Sequence, residues 1–354
     1  MSATDSLVID AVLHAYNLTD DNYRDETAKS LASATYGLLH LTGDAGLISE
    51  QEYNHDWSVD EVAQLAFVES DIDLAVYHGV PLDDYFRDGL SSNEKGVEMK
   101  RRWPERVMFY GAINPFEGEA ALEKAEFFVK ECGASGLKFY PERYSPDKPV
   151  EPMLFDDPKI WVFLEKAIEL GVPVAVHKFA AAGPGRADNY RLGDIEYAAK
   201  QYPELQFEVV HSGFAFLEET SMLLQRFPNV WANLEMTTAL IKGMKGRFTS
   251  ALGQLLASGA GDRIVFATGC SLLHPQPIID ELRALEMPRD LVEGWGYPPL
   301  TDGVKAGILG GNYCRLHNID VEATRRAIAD DEFAKHRAEF DGRRWSKPAW
   351  LRAS

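Results

Sequence analysis

The chain has no apolar run approaching the roughly 20 residues that a membrane-crossing helix needs. Its start, Met1-Ser-Ala-Thr-Asp-Ser6, lacks the basic-then-apolar pattern of a secretory leader. Cysteine is scarce: Cys132, Cys270 and Cys314 are far apart, odd in number and without metal-type spacing. That argues against a disulfide scaffold or a thiolate zinc cluster and makes the reducing cytoplasm the expected compartment. Positive charge is also short, with 36 Lys and Arg against 55 Asp and Glu, a formal charge of −19. A nucleic-acid partner needs a clustered basic surface, so none is expected, and acidic membranes attract such a chain weakly. No Gly-x-Gly-x-x-Gly or Gly-x-x-x-x-Gly-Lys follows the first apolar run, which removes the Rossmann and P-loop readings. Gly183-Pro-Gly185 is only a turn signal, and no repeat of 20 to 50 residues is visible beyond a βα unit.

What is present is a globular composition, 45% apolar and 26% charged over 354 residues, long enough for one large domain with an ample core. Short apolar runs alternate with helical patterns. Strands are predicted over 7–13, 72–77, 107–113, 136–140, 172–176, 207–210, 230–233 and 264–267. Helices are predicted over 26–39, 59–70 (Ser58 as cap), 93–103, 119–132, 158–170, 192–202, 216–227, 248–258, 275–285 and 301–309. Eight strands, each followed by helical sequence, predict a single α/β domain, a (β/α)8 TIM-like barrel over 1–318. Residues 17–57 form an insertion after strand one, too long for a plain βα loop and therefore a lid or partner-contact element. Residues 142–157 read as a proline- and aspartate-rich loop. Residues 319–354 form a C-terminal helical, aromatic extension, with Phe333, Phe340, Trp345 and Trp350 as packing anchors on the barrel or on another subunit.

Active sites of such barrels collect at the carboxyl ends of the strands. His14, His177 and His211 stand there, three of nine histidines in the chain. Three imidazoles converging on one mouth can bind a divalent transition metal and leave a position open for water or substrate; singly, each reads as a hydrogen-bonded core or loop histidine. His78, after strand two, is a pocket-wall or a turn residue. Lys138, mid-strand, needs a carboxylate, a substrate anion or solvent, unless it faces the helix layer and snorkels outward. Glu208 and Glu235 can accept histidine N–H groups or lie exposed at strand ends. Asp10 shares the parity of Val12 and His14 and is predicted to point with them. Cys270 can be a ligand, a nucleophile or a plain buried thiol. His55 and Trp57 lie in the insertion, which as a lid could carry them to the mouth or leave them in a surface loop.

These residues resemble the amidohydrolase superfamily, in particular its aminocarboxymuconate-semialdehyde decarboxylase-like branch. The matching pieces are Ile9-Asp-Ala-Val-Leu-His14, Gly136-Leu-Lys-Phe-Tyr-Pro141, Val174-Ala-Val-His177, Val209-Val-His-Ser-Gly213, Arg263-Ile-Val-Phe-Ala-Thr268 and Ile308-Leu-Gly-Gly-Asn312, spanning about residues 7–318. The resemblance implies a metal-dependent hydrolase or non-oxidative decarboxylase. It implies a His-x-His pair on strand one, histidines on strands five and six, and an aspartate after strand eight. His14, His177 and His211 match; Val12 stands at the first histidine and Gly269 at the aspartate. The resemblance therefore implies one divalent ion, zinc or iron, on His14, His177 and His211, completed by water or a borrowed carboxylate. It also implies a partner: a barrel with a reduced ligand set resembles the supporting chain of a heteromeric hydroxylase built with a catalytic paralogue. The alternative is a self-sufficient mononuclear hydrolase or decarboxylase of a small carboxylic acid, alone or self-associated.

Overall fold

A computed structural model describes residues 6–42, 48–179 and 184–348. Eight parallel strands form a barrel: β1 (Ile9–Leu13), β2 (Leu74–His78), β3 (Val107–Ala112), β4 (Gly136–Phe139), β5 (Val174–His177), β6 (Phe207–Val210), β7 (Val230–Asn233) and β8 (Ile264–Val265). They pair in chain order. The seam between first and last strand closes through Ala11 N–H to Phe266 C=O at 3.0 Å and Gly269 N–H to Val12 C=O at 3.1 Å. The strands read as near-continuous apolar runs because bore and helix layer cover both faces.

Local chemistry sets the helix ends. Asp157 caps Pro158–Leu170 by accepting from Lys159 N–H, proline occupies the first turn, and Gly171 ends the helix at φ 69°. Ser58 caps Val59–Ala63, closing a reciprocal capping box with Glu61. The turn after it, Gln64–Val68, widens to π geometry.

One apolar cluster fills the space between sheet and helices. A smaller one, including Val12, Val76, Ala175, Val210 and Val265, fills the bore. The region 142–157 is not a plain loop: Glu142–Ser145 and Lys148–Pro152 pair as an antiparallel hairpin. Period-two patterning is too weak there for the sequence to reveal it. The insertion carries a long helix, Glu26–Thr42. Asn22 Nδ2 ties the segment before it to Gly89 C=O at 2.9 Å, and Lys95 Nζ to Asp56 and to Trp57 C=O ties its end to the barrel. Helices Val321–Ile328 and Glu332–Ala338 lie along the barrel wall. Among the described residues no helix is long and apolar enough to cross a membrane.

Candidate active site at the barrel mouth

The carboxyl ends of the strands enclose a cavity of about 260 Å³. His14 enters it from just beyond β1, Lys138 from β4, His177 from the end of β5, His211 from just beyond β6 and Glu235 from two residues beyond β7. The walls are largely aromatic: Tyr16, Tyr85, Tyr140, Tyr144, Phe179 and Tyr190. Leu31, Ala34 and Thr35 of the insertion helix line it too, so the insertion lies over the mouth. Tyr144 of the hairpin stacks on Tyr85 at 4.3 Å and donates to Asp25 Oδ2 at 3.2 Å, tying hairpin and insertion together.

The polar groups are linked. His14 Nδ1 donates to His78 C=O at 2.8 Å, and its Nε2 lies 3.8 Å from Glu235 Oε1. His211 Nδ1 donates to Glu235 Oε2 at 2.8 Å. His211 Nε2 meets His177 Nδ1 at 3.0 Å. Burial alone would raise the Glu235 carboxyl, but His211 and His14 hold it well below the usual carboxylate range. Burial, with His211 beside it, pushes His177 well below its ordinary value. The turn that aims His211 is held in sparsely populated backbone space, φ 68° at His211 and 53° at Ser212. Thr237 Oγ1 to His211 C=O (2.9 Å) and Ser212 Oγ to Asn233 C=O (3.0 Å) brace it.

Not every expected residue reaches the cavity. Asp10 is buried beside Thr268, accepting from its N–H at 2.9 Å and from its hydroxyl, and does not line the mouth. A register shift between Asp10 and Leu13 breaks the simple alternation that parity assumed. His78 ends β2 behind the wall, stacked on Tyr110 at 4.5 Å, with neither ring nitrogen hydrogen-bonded. Cys270 is fully buried and its thiol pushed well up by burial, the chemistry of an inert core thiol. Glu208 is buried deeper, accepting from Tyr110 and from Asn233 Nδ2. His55 packs on Trp57 at 4.4 Å, outside the cavity lining. The tyrosine wall escaped the sequence reading; Tyr140, directly after β4, carried the one usable signal.

Among the described residues no three His, Cys, Asp or Glu side chains are gathered at metal-binding spacing. The mouth donors instead contact one another. Their chemistry nonetheless suits one divalent ion: His14 and His211 each spend Nδ1 on an oxygen acceptor, as ligating imidazoles do, and turn Nε2 toward the mouth, that of His211 onto His177 Nδ1. His177 Nδ1 and His211 Nε2 share one hydrogen bond at 3.0 Å. Glu235 supplies the negative charge that neutral imidazoles lack.

The chain is thus a parallel TIM barrel that gathers three histidines, a lysine and a carboxylate at its mouth. The amidohydrolase family model matches residues 86–316, and the chain belongs to that family. No curated protein matches it in sequence. Among solved structures it is similar to an uncharacterised TIM-barrel protein from Bordetella bronchiseptica (TM-score 0.61, 18% identity, covering 87% of this chain and 97% of that one). It is also similar to 5-carboxyvanillate decarboxylase from Novosphingobium aromaticivorans with bound manganese (0.58, 12%, 89% and 97%). A third is a probable 2-pyrone-4,6-dicarboxylic acid hydrolase from Acinetobacter baumannii with citric acid bound (0.55, 11%, 88% and 99%). At such identities these likenesses speak for the fold.

Proposed function

We propose that this chain is a metal-binding amidohydrolase-like subunit acting on a small molecule at its barrel mouth and supporting a catalytic paralogue. The two-subunit, metal-dependent 2-aminoisobutyrate hydroxylase is the assembly it resembles. The observation that supports the metal reading is the linked set His14, His177, His211 and Glu235, whose imidazoles and carboxylate line one cavity. The ion would be zinc or iron; the decarboxylase neighbour holds manganese, which suits the same mixed nitrogen and oxygen donors. A bound divalent ion supplies Lewis acidity, polarising an oxygen or activating a water. The protein's own part is to fix the histidine tautomers through His78 C=O and Glu235, and to cover the mouth with the insertion.

The supporting role rests on the reduced strand-one donor, Val12, and on apolar side chains exposed on the outer surface. Phe127, Val162 and Tyr197 are exposed at 53%, 43% and 41% on successive barrel helices. Trp161 stacks on Tyr197 at 5.7 Å, joining two of those helices. Apolar surface of that kind suits a subunit interface. A self-sufficient hydrolase or decarboxylase is the second reading, favoured by Glu235, which returns a carboxylate to a mouth that lacks one at Gly269.

Metal content and molecular mass, measured on the chain alone and co-expressed with a paralogue, separate the two. The supporting role expects about one ion per chain and turnover only in the mixed complex. A monomer that is fully metallated and fully active by itself rejects it.

A further inference from the structure

Two lysines among the described residues are buried to 1% exposure or less, and they are treated differently. Lys178 Nζ donates to Asn189 C=O at 3.0 Å, Arg191 C=O at 2.9 Å and Asp194 Oδ1 at 2.9 Å, so its three donors are used. Lys138, 1% exposed, has no such partner among the described residues. Glu235 and Glu208 act on it only through space, and the Tyr140 ring centroid lies 5.8 Å from Nζ. The nearby carboxylates are already engaged: Glu235 with His211 and His14, Glu208 with Tyr110 and Asn233. Next to Lys138, His78 keeps both ring nitrogens without a hydrogen bond. The floor of the mouth therefore holds an ammonium that no protein carboxylate binds directly, with the unbonded His78 ring behind it.

An unpartnered ammonium in the interior is costly. The local sequence nevertheless makes room for it. At the level of Lys138 the neighbouring strands present Ala112 and Ala175, short side chains that leave the bore open to the aminobutyl arm. The arm ends at a cavity whose other walls are mainly apolar and aromatic. Pockets of this kind fix a ligand through a few convergent polar groups and bury the remainder against apolar walls, and a volume of about 260 Å³ is small for the class.

We propose that Lys138 anchors the carboxylate of a small, compact organic acid whose apolar body lies against Tyr16, Tyr140 and Tyr190. The assignment rests on reading the mouth as the substrate site, and it names the substrate class and the residue that selects it. The carboxylate supplies the missing counter-charge, and desolvation inside the cavity strengthens that pairing. A neutral analogue of the same shape leaves the ammonium unmatched and is rejected.

Calorimetric titration of benzoate and of neutral benzamide tests this, first on chelator-dialysed protein and then on zinc-loaded protein. Benzoate is expected to bind the chelated wild type, and Lys138→Met to weaken it by about tenfold or more, one lost charge-assisted contact. Lys138→Arg, which keeps the charge, should retain more binding than Lys138→Met, and benzamide should not distinguish them. Lys138→Met should also melt no lower than wild type, since it removes an unmatched buried charge. Benzoate bound equally by wild type and Lys138→Met, or no benzoate binding to folded wild type, overturns the anchor. Binding that vanishes on chelation but ignores Lys138→Met assigns the acid to the ion and likewise overturns it. Binding to chelated protein that depends on Lys138 upholds the anchor even if the metal reading fails.

Discussion

The carboxylate of Glu235 occupies the space that a side chain on Gly269 would need: a Cβ there would meet Glu235 Oε1 at 2.7 Å. The two positions come from adjacent strand ends, after β7 and after β8. The resemblance implies an aspartate at Gly269; in this chain the carboxylate of the mouth comes from beyond β7 instead. Gly269 also sits at φ 73°, where most side chains are strained.

Glu235→Gln should lower divalent-ion content and leave His211 with a weaker acceptor for its Nδ1–H. The loss of a second partner of a metal-binding histidine is worth about 10–100-fold in affinity. Glu235→Ala with Gly269→Asp should recover part of it, because aspartate tolerates positive φ better than most residues. Gly269→Asp alone should instead destabilise the fold by crowding Glu235. Metal analysis and melting of the four proteins check this; undiminished metal in Glu235→Gln removes Glu235 from the site.

Asp10 gives the pH dependence. Burial raises it from 3.8 to about 7, against the lowering effect of the Thr268 hydrogen bonds. The folded state therefore holds a proton that the unfolded chain has released. Its contribution to stability is full below pH 3.8 and fades as pH rises through about 7, on the order of 4 kcal/mol in all. Asparagine keeps an acceptor for Thr268 N–H and carries no charge. Asp10→Asn should thus gain on wild type between pH 5 and pH 8 in urea unfolding, where other titrations cancel in the difference. A difference that stays constant across that range contradicts the assignment.

The barrel was legible because its strands are short apolar runs separated by capped helices, a pattern that survives without tertiary information. The mouth was legible in part. His14, His177 and His211 follow apolar runs directly, so periodicity locates them. Glu235 was visible only as a strand-end carboxylate, because its approach to Gly269 depends on how β7 and β8 lie side by side. The displacement of Asp10 was hidden, since a register shift leaves no mark in the alternation of residue types. Lys138 was ambiguous between bore and helix layer, and its direction shows only in the folded barrel, where it lines the cavity in register with Ala112 and Ala175.

The C-terminal extension should act as a clamp on the barrel. Arg106 holds Asp331 through Nε–Oδ2 at 2.5 Å and Nη2–Oδ1 at 3.0 Å, and Trp103 Nε1 donates to Glu332 at 2.7 Å. Phe333 is buried against Phe67 and Trp103. Breaking a fully buried pair from one side costs about 3–5 kcal/mol; Asp331 is part-exposed and Arg106 keeps Asp73 C=O and Ile328 C=O, so Asp331→Ala should cost less, about 1–3 kcal/mol with its lost cap on Ala334 N–H. Phe333→Ala should cost about 3–5 kcal/mol through the cavity it leaves. Denaturant midpoints give both values; a loss under about 1 kcal/mol for each would mean that the extension rests on the barrel without holding it.

Val12 is the remaining departure from the resemblance, and its surroundings predict what restoring histidine would do. Val12 is fully buried and packs in the apolar bore cluster with Ala175, Val210 and Val265. An imidazole there displaces a smaller side chain and brings two ring nitrogens among carbon atoms. Without partners such a group costs about 1–3 kcal/mol, and overpacking adds a comparable amount. Val12→His should therefore lower the urea midpoint and leave the metal content of the isolated chain unchanged, because Glu235 and the three mouth histidines already satisfy one another. A variant that gains a tightly bound ion at no cost in stability would show that the bore still has room for a second ligand on strand one, and that the site is reduced only by that single residue.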